Sequence, residues 1–160
     1  MPTPGERRSQ ARVVATAGPR HVSSRCFGAL EVPEERIFEF TEELAGYPGR
    51  KAFALLELEH TAPFLCLQSA EDPAVALAAV DPARIVPDWV APVAEAARVL
   101  GSAPSDLLFV ALVAVAEDVA QTTVDLLAPI AIDRRRGVGR QIVLGHGDAA
   151  QSLFPSRRTG

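Results

Sequence analysis

Cysteine and long apolar segments are both scarce in this sequence of 160 residues. Its two cysteines, Cys26 and Cys66, are far fewer than a small secreted domain stapled by disulfides would carry. The longest uninterrupted apolar run, residues 107–116, has about half the length that a transmembrane helix needs. The apolar segment within residues 11–18 is too short for the core of a signal peptide. We therefore expect a cytoplasmic protein in which Cys66 is a reduced, buried thiol.

Residues that could form a catalytic or metal centre are also few. The three histidines, His21, His60 and His146, stand far apart, and no pair of histidines or cysteines has the spacing of metal ligands. The Gly-x-Ser-x-Gly motif of a nucleophilic serine is absent. Adjacent carboxylates such as Glu42-Glu43 lie in predicted loops, where a solvated surface is the simpler interpretation. We predict that the chain is not an enzyme and that it holds no metal and no cofactor.

Two short stretches leave an enzymatic alternative open. Gly137–Arg140 and Arg50-Lys51 are candidates for holding a flavin phosphate, as in a small split-barrel flavin-binding enzyme. A phosphate loop normally leads into a helix, whereas Gly137–Arg140 precedes a predicted strand, so we prefer a glycine-bearing turn there. A further alternative is that the arginines of the two termini bind RNA as arms appended to the folded domain.

The formal net charge of −4 conceals a strong internal asymmetry. Residues 1–25 carry a net charge of +4 and residues 134–160 carry +5, whereas residues 26–133 carry −13. An acidic body repels phosphate backbones and favours basic partners. We therefore expect the folded part to bind other proteins, and to bind neither nucleic acid nor membranes directly.

Composition divides the chain into one domain and two tails. Residues 1–25 mix Pro, Gly, Ser and Arg without apolar periodicity, which predicts a flexible basic N-terminal tail. Residues 146–160 similarly predict a flexible C-terminal tail. Residues 26–145 between them form the predicted domain.

Short apolar segments separated by turn signals predict a mainly β domain. Residues 92–100 predict one short helix, because their apolar side chains recur at helical spacing and Gly101 follows as a stop signal. The fold class is therefore all-β, a small closed or partly closed antiparallel β-barrel with one short helix. The predicted strands are 27–32, 36–40, 52–58, 64–69, 75–80 and 107–115, followed by a closing hairpin of 124–132 and 141–144 around a loop at 133–140.

Several of these segments, in their order along the chain, carry the pattern of a known family. The most distinctive stretch is Thr123–Ile130 followed by Gly139–Leu144. The other matching stretches are Phe27–Val32, Ile37–Tyr47, Pro63-Phe64, Leu67–Ser69, Glu71–Pro73 and Val80–Pro82. Together these segments span residues 27–144, and in order and spacing they resemble the flagellar assembly factor FliW family.

The resemblance implies a small β-barrel that binds two proteins in turn. One is CsrA, a basic dimeric regulator that binds messenger RNA and blocks flagellin translation, and the other is flagellin itself. The resemblance implies that the free protein sequesters CsrA, binding it at a surface away from the RNA groove, and so relieves the repression. When flagellin captures the protein, the repression is restored. The acidic body fits this expectation, because complementary charge steers a basic protein towards it.

Five positions depart from the usual pattern of the family. Thr41, Glu43 and Ala45 stand where Pro, Gly and Pro are usual, so we expect that loop to differ in shape. Asp125 and Asp133 stand where Asn is usual and add two negative charges to the closing hairpin. If a partner reads those amides as hydrogen-bond donors, we expect weaker binding or a partner that has changed to match.

Polar family positions in loops are the candidates for contacting a partner, because packing already explains the core positions. Asp72-Pro73 and Asp81-Pro82 indicate turns equally well, since Asp favours the start of a turn and Pro fixes φ. Tryptophan is enriched at interface hot spots, although Trp89 could also lie on the rim of the core. The candidate partner-binding residues are Tyr47, Glu71, Asp72, Asp81, Trp89 and Asp133.

Overall fold

Short strands joined by tight turns make up most of the structure. The computed structural model describes residues 19–57, 62–144 and 151–152. The strands are β1 (Arg20–Ser24), β2 (Gly28–Val32), β3 (Ile37–Phe40), β4 (Ala52–Glu57), β5 (Phe64–Ser69), β6 (Ala76–Val80), β7 (Leu107–Ala114), β8 (Thr123–Val124), β9 (Ile130–Asp133), β10 (Val138–Gln141) and β11 (Gln151–Ser152). The helix α1 spans Val93–Leu100, and single 3₁₀ turns lie at Glu34–Arg36, Pro82–Arg84, Pro104–Asp106 and Val119–Gln121.

Within the described residues, seven strands close into a barrel in the order β9, β10, β3, β4, β5, β6 and β7, and β7 pairs back to β9. Every neighbouring pair is antiparallel except β10 and β3, which are parallel. Strand directions cannot alternate all the way around a closed ring of seven strands, so one neighbouring pair must be parallel. The predicted mainly β barrel with one short helix is confirmed, whereas antiparallel pairing throughout is corrected at this one junction.

Alternating side chains of the barrel strands fill the interior, as the period of two in a β-strand requires. Phe40 and Phe53 meet edge to face there, with ring centroids 5.4 Å apart. Leu44 closes the interior from the loop after β3. The other buried side chains of this cluster are Phe38, Leu55, Leu67, Ala79, Val110, Ile130 and Ile132.

The hairpin of β1 and β2 lies outside the barrel and shows that the N-terminal boundary predicted at residue 25 is too late. Val22 of β1 is 2% exposed and packs with Val32 and with Ile37 and Ala54 of the barrel wall. At its tip, the Arg25 N–H donates to the Pro73 carbonyl oxygen over 2.8 Å. A single buried valine between polar neighbours gives little apolar periodicity, which explains why the sequence suggested a tail. Residues 1–18 of that predicted tail lie outside the described residues.

The closing hairpin is confirmed in kind but shifted along the chain. Its strands are β9 and β10, and its turn is residues 134–137 rather than 133–140. Thr123–Val124 instead form the separate strand β8, which pairs with β7. β8 also pairs with β11, so Gln151–Ser152 form a strand within the predicted C-terminal tail. Of that tail, residues 146–150 and 153–160 lie outside the described residues.

The predicted helix is confirmed as α1, which lies in the long connection between β6 and β7. Ala96 and Leu100 are buried against Ala131 and Ile142 on the outside of the closing hairpin. Gly101 ends the helix with a left-handed φ of 67°, where a side chain would be strained. No helix among residues 19–57 and 62–144 is both long and apolar enough to cross a membrane.

The burial predicted for Cys66 is confirmed. Cys66 lies on β5 and is buried, whereas Cys26 lies in the exposed turn between β1 and β2. Burial, with a smaller contribution from the charge of Cys26, raises the pKa of the Cys66 thiol to about 11. Because the thiolate is the reactive form, Cys66 is a packing residue at neutral pH.

A charge placed at Val22 tests whether β1 belongs to the folded domain. We expect Val22→Asp to lower the free energy of unfolding by about 2–4 kcal/mol, because it buries an unpaired carboxylate. Urea denaturation followed by circular dichroism measures this. The neighbouring exposed His21 is the control, and His21→Asp should change stability by less than about 0.5 kcal/mol. Equal stability of the two variants would contradict the packing of β1.

Candidate partner-binding surfaces

Successive loops of the barrel alternate between its two ends, because neighbouring strands mostly run in opposite directions. The loops after β3, β5 and β7 meet at one end, which we call the acidic end and which comprises residues 41–51, 70–75 and 115–129. The loops before β3, β7 and β10 meet at the opposite end, which we call the helix end and which comprises residues 33–36, 81–106 and 134–137.

The two ends differ in charge. The acidic end carries seven carboxylates against two basic side chains, whereas the helix end carries six of each. The acidic end therefore has a net charge of −5 and the helix end is neutral. Five of the six candidate residues lie within these two ends: Tyr47, Glu71 and Asp72 at the acidic end, and Asp81 and Trp89 at the helix end. The sixth, Asp133, is the last residue of β9 and borders the helix end.

Hydrogen bonds join the two loops that hold the three candidates of the acidic end. Arg50 donates from Nη2 to Oδ2 of Asp72 over 2.6 Å and from Nε over 3.1 Å. The exposed Glu71 accepts bonds at Oε1 from the backbone N–H of Lys51 at 2.8 Å and of Ala52 at 3.3 Å. The Arg50 guanidinium, bonded to Asp72, holds the pKa of that carboxyl below its usual range.

The local fold of residues 69–74 explains why a turn is found there. The Ser69 hydroxyl accepts bonds from the backbone N–H of Glu71 and Asp72, at 3.0 and 2.9 Å. Asp72 Oδ1 in turn accepts a bond from the Ala74 N–H over 3.0 Å. The turn interpretation of Asp72-Pro73 therefore holds, and the same turn presents the Glu71 carboxylate to solvent.

An open cleft at the acidic end, between β6 and β7, was not anticipated from the sequence. Its volume is about 550 Å³, and Tyr47 lies at its rim together with Asp125. Half-buried Leu77 and Leu112 line it, and Val115 beside them is 69% exposed. The apolar run of β7 predicted a strand, but nothing in the sequence indicated where its pairing with β6 would end.

A second pocket, of about 530 Å³, lies at the helix end beside Asp81 and Trp89. Trp89 meets Phe109 edge to face, with ring centroids 6.0 Å apart, so it is half-buried on the rim as one of its two interpretations expected. Asp81 Oδ1 accepts a bond from the Ala83 N–H over 3.0 Å and starts a 3₁₀ turn. The same rim also carries Arg36, Arg84 and Arg134. That these three arginines lie together was not predicted from the sequence, because they are far apart along the chain.

Asp133 was expected on the hairpin surface, and the structure corrects this, because its side chain has no exposure to solvent. Its Oδ1 accepts bonds from the backbone N–H of Arg135 and Arg136 at 2.9 and 3.0 Å, and its Oδ2 accepts one from Ser102 Oγ. Burial alone would raise the pKa of this carboxyl. The three hydrogen bonds and the nearby Arg136 guanidinium outweigh burial and lower the pKa. Asp133 therefore organises the turn, and in this structure its side chain presents no exposed surface.

Two of the basic side chains considered for a flavin phosphate are engaged elsewhere. Arg50 is bonded to Asp72, and Arg140 lies 3.3 Å from Glu42. Gly137 adopts a φ of 71° and closes the turn of the β9–β10 hairpin, so no helix follows it. Among the described residues, no group of three or more His, Cys, Asp or Glu side chains could hold a metal ion.

Comparison with protein families gives one consistent match. A family model described as FliW protein matches residues 21–153 of the chain. This range begins within β1 and ends just after β11, so it includes both strands that lie in the predicted tails.

Individual relatives agree with the family match. The chain is 34% identical over 125 residues to the flagellar assembly factor FliW of Heliobacterium modesticaldum, covering 77% of this chain and 82% of that protein. It is 33% identical over 138 residues to the FliW of Desulfitobacterium hafniense, covering 84% and 91%. A crystal structure of the flagellar assembly factor FliW superposes with a TM-score of 0.76 at 26% identity, covering 87% of this chain and all of that one.

Substitution of Asp133 tests its role in the turn. We expect Asp133→Ala to lower the free energy of unfolding by about 2–4 kcal/mol, because three donors lose their buried acceptor. Asp133→Asn keeps an acceptor for the two backbone N–H groups and should cost less than half as much. Urea denaturation gives both values, and the exposed Asp88→Ala is the control.

The same carboxyl should also contribute a pH dependence. Because its folded pKa is lowered, its contribution is complete above the usual value of 3.8 and is lost as the pH falls through the lower folded value. Asp133→Asn should lose this part of the acid dependence. An unchanged dependence in that variant, or an Asp133→Ala variant as stable as Asp88→Ala, would contradict the assignment.

Proposed function

Because the chain belongs to the FliW family of flagellar assembly factors, we propose that it acts in the cytoplasm by binding CsrA. Binding would withdraw CsrA from flagellin messenger RNA and so relieve the repression of flagellin translation. Flagellin is the second partner and releases CsrA by capturing this protein. On this proposal the chain works by protein binding alone, without catalysis, a cofactor or direct contact with nucleic acid.

The charge difference between the two ends is the observation that carries the proposal. CsrA is basic, and the acidic end presents a net charge of −5 on loops that are largely exposed. A field of that sign accelerates the encounter with a basic protein and repels RNA. We assign CsrA to the acidic end, with Tyr47, Glu71 and Asp72 as its candidate contacts.

The helix end supplies the second candidate surface. It is neutral, and it places the aromatic rings of Trp89 and Phe109 beside a pocket lined by both apolar and charged side chains. Partly exposed aromatic surface without a large net charge suits a partner recognised by packing more than by long-range attraction. Asp81 and Trp89 are its candidate contacts, and we assign flagellin to it.

Direct titration tests whether the two proteins bind. Calorimetry with the CsrA of the same bacterium should show binding at about 0.05 M salt. In stopped-flow measurements, raising the salt to about 0.5 M should slow association, because salt screens the charge of the acidic end. Flagellin, titrated in the same way, should bind with a weaker dependence on salt. The absence of heat with both proteins at low salt would contradict the proposed function.

A pair of matched charge reversals tests which end meets CsrA. We expect Glu71→Lys to slow CsrA association by about tenfold, because it changes the charge of the acidic end. Asp88→Lys makes the same change of charge at the helix end, where Asp88 is exposed, and should leave association within about twofold of the unchanged protein. Stopped-flow fluorescence measures both rates, with thermal melting as a check of folding. Equal slowing by the two variants would contradict the assignment to the acidic end.

A further inference from the structure

The cleft at the acidic end exposes a strand edge that has no partner within residues 19–57, 62–144 and 151–152. The pairing of β6 with β7 consists of Val80 with Ala111 and Ala79 with Leu112, and ends there. On its other side β6 is paired with β5 as far as Ala76. Among the described residues, no strand pairs with Ala76–Ala78 along the edge that faces β7. Unpaired strand edges are templates for another strand, because their N–H and C=O groups need partners.

In the described part of the chain, the facing edge of β7 also has no partner strand beyond Leu112. The Arg134 N–H donates to the carbonyl oxygen of Asp106 in the β7–β9 register, and the Asp125 N–H donates to that of Leu112. Alternate residues of a strand bond along alternate edges, so Asp106 and Leu112 bond along the same edge. β8 therefore pairs along the same edge of β7 as β9 does. Among the described residues, neither strand covers the edge of β7 that faces β6.

The lining of the cleft indicates what would fill it. Leu77, Leu112 and Val115 offer aliphatic contacts, and Ala76 and Ala78 leave room for a backbone to approach. The open edge of three residues is about 10 Å long, which matches three or four residues of extended chain. The surrounding loops carry the net charge of −5, so the segment that enters should be flanked by basic residues.

We propose that an extended segment of a basic partner protein, with small or aliphatic side chains between basic residues, adds to β6 as a strand in this cleft. Recognition then combines backbone hydrogen bonds to Ala76–Ala78 with apolar contacts to Leu77, Leu112 and Val115. A second copy of this chain is a poor occupant, because its acidic end would be repelled by this one. The inference rests on the proposed function, to which it adds the place and the mode of binding.

Hydrogen–deuterium exchange and two matched variants test the proposal, with intact CsrA of the same bacterium as the probe. Binding should slow amide exchange at Ala78, whose N–H faces the open edge, at least about tenfold. Val115→Lys places a long cationic side chain in the cleft and should weaken CsrA binding about tenfold or more. Val90→Lys makes the same substitution at the helix end, where Val90 is 83% exposed, and should leave affinity unchanged.

Each other outcome has a defined meaning. If CsrA binds but Ala78 exchange is unchanged, or if the two lysine variants bind equally well, strand addition is wrong and the proposed function stands. If CsrA does not bind the unchanged protein, both proposals fail. The Ala78 amide could also exchange slowly in the free protein. If deleting residues 153–160 or diluting the protein abolishes that protection, the cleft is occupied by this chain's own terminus or by a second copy. Either result would overturn the inference.

Discussion

Closure of the barrel through the parallel pair of β3 and β10 is the constraint on which the rest of the structure depends. The Glu39 N–H donates to Gly137 and the Thr41 N–H to Gly139, both over 2.9 Å, and these bonds join the first barrel strand to the last. The junction is closely packed at Gly139, since a Cβ there would lie 3.4 Å from both the Phe40 ring and the Ala131 carbonyl oxygen. Only a closed ring encloses the aromatic interior. Within that ring the antiparallel order of the strands sends successive loops to opposite ends, and this order separates the candidate residues into two surfaces.

The carboxylates of the two ends are used differently. At the helix end Asp133 is enclosed, and Arg136 beside it donates to the Leu100 carbonyl, so the closing hairpin is tied to the end of α1. The negative charge of Asp133 is therefore stabilised by contacts inside the protein and contributes little to the field outside it. At the acidic end Glu71 also accepts backbone bonds, but it stays exposed, and its charge contributes to the field outside the protein. Turn formation and electrostatic steering are therefore compatible in one side chain, provided that the side chain is not covered.

Local features of the fold could be predicted from the sequence, and non-local ones could not. α1 was predicted because its apolar spacing and Gly101 are neighbours in the chain, and residues 64–69 because turn residues bound them. Strand β1 was missed because it contributes only one buried apolar side chain, Val22, and is held by its pairing with β2. The opening between β6 and β7 was missed because hydrophobic pattern identifies strands and not the residue at which a pairing ends. The burial of Asp133 was not predicted, because its carboxylate is enclosed by the turn between β9 and β10. The position of that turn depends on the register of the two strands.

Asp125 and Asp133, the two positions where the resemblance led us to expect Asn, have different surroundings in the structure. Asp133 is buried, with the Arg136 guanidinium 3.9 Å from its Oδ2 and a hydrogen bond from Ser102 Oγ to the same oxygen. Its negative charge is therefore stabilised inside the protein and is not presented to a partner. Asp125 lines the cleft, and its Oδ1 accepts a bond from the Leu127 N–H over 3.0 Å. An amide at this position could donate to a partner, whereas a carboxylate can only accept. If the partner of this chain has changed to match, the change should therefore be a donor or a cation opposite Asp125.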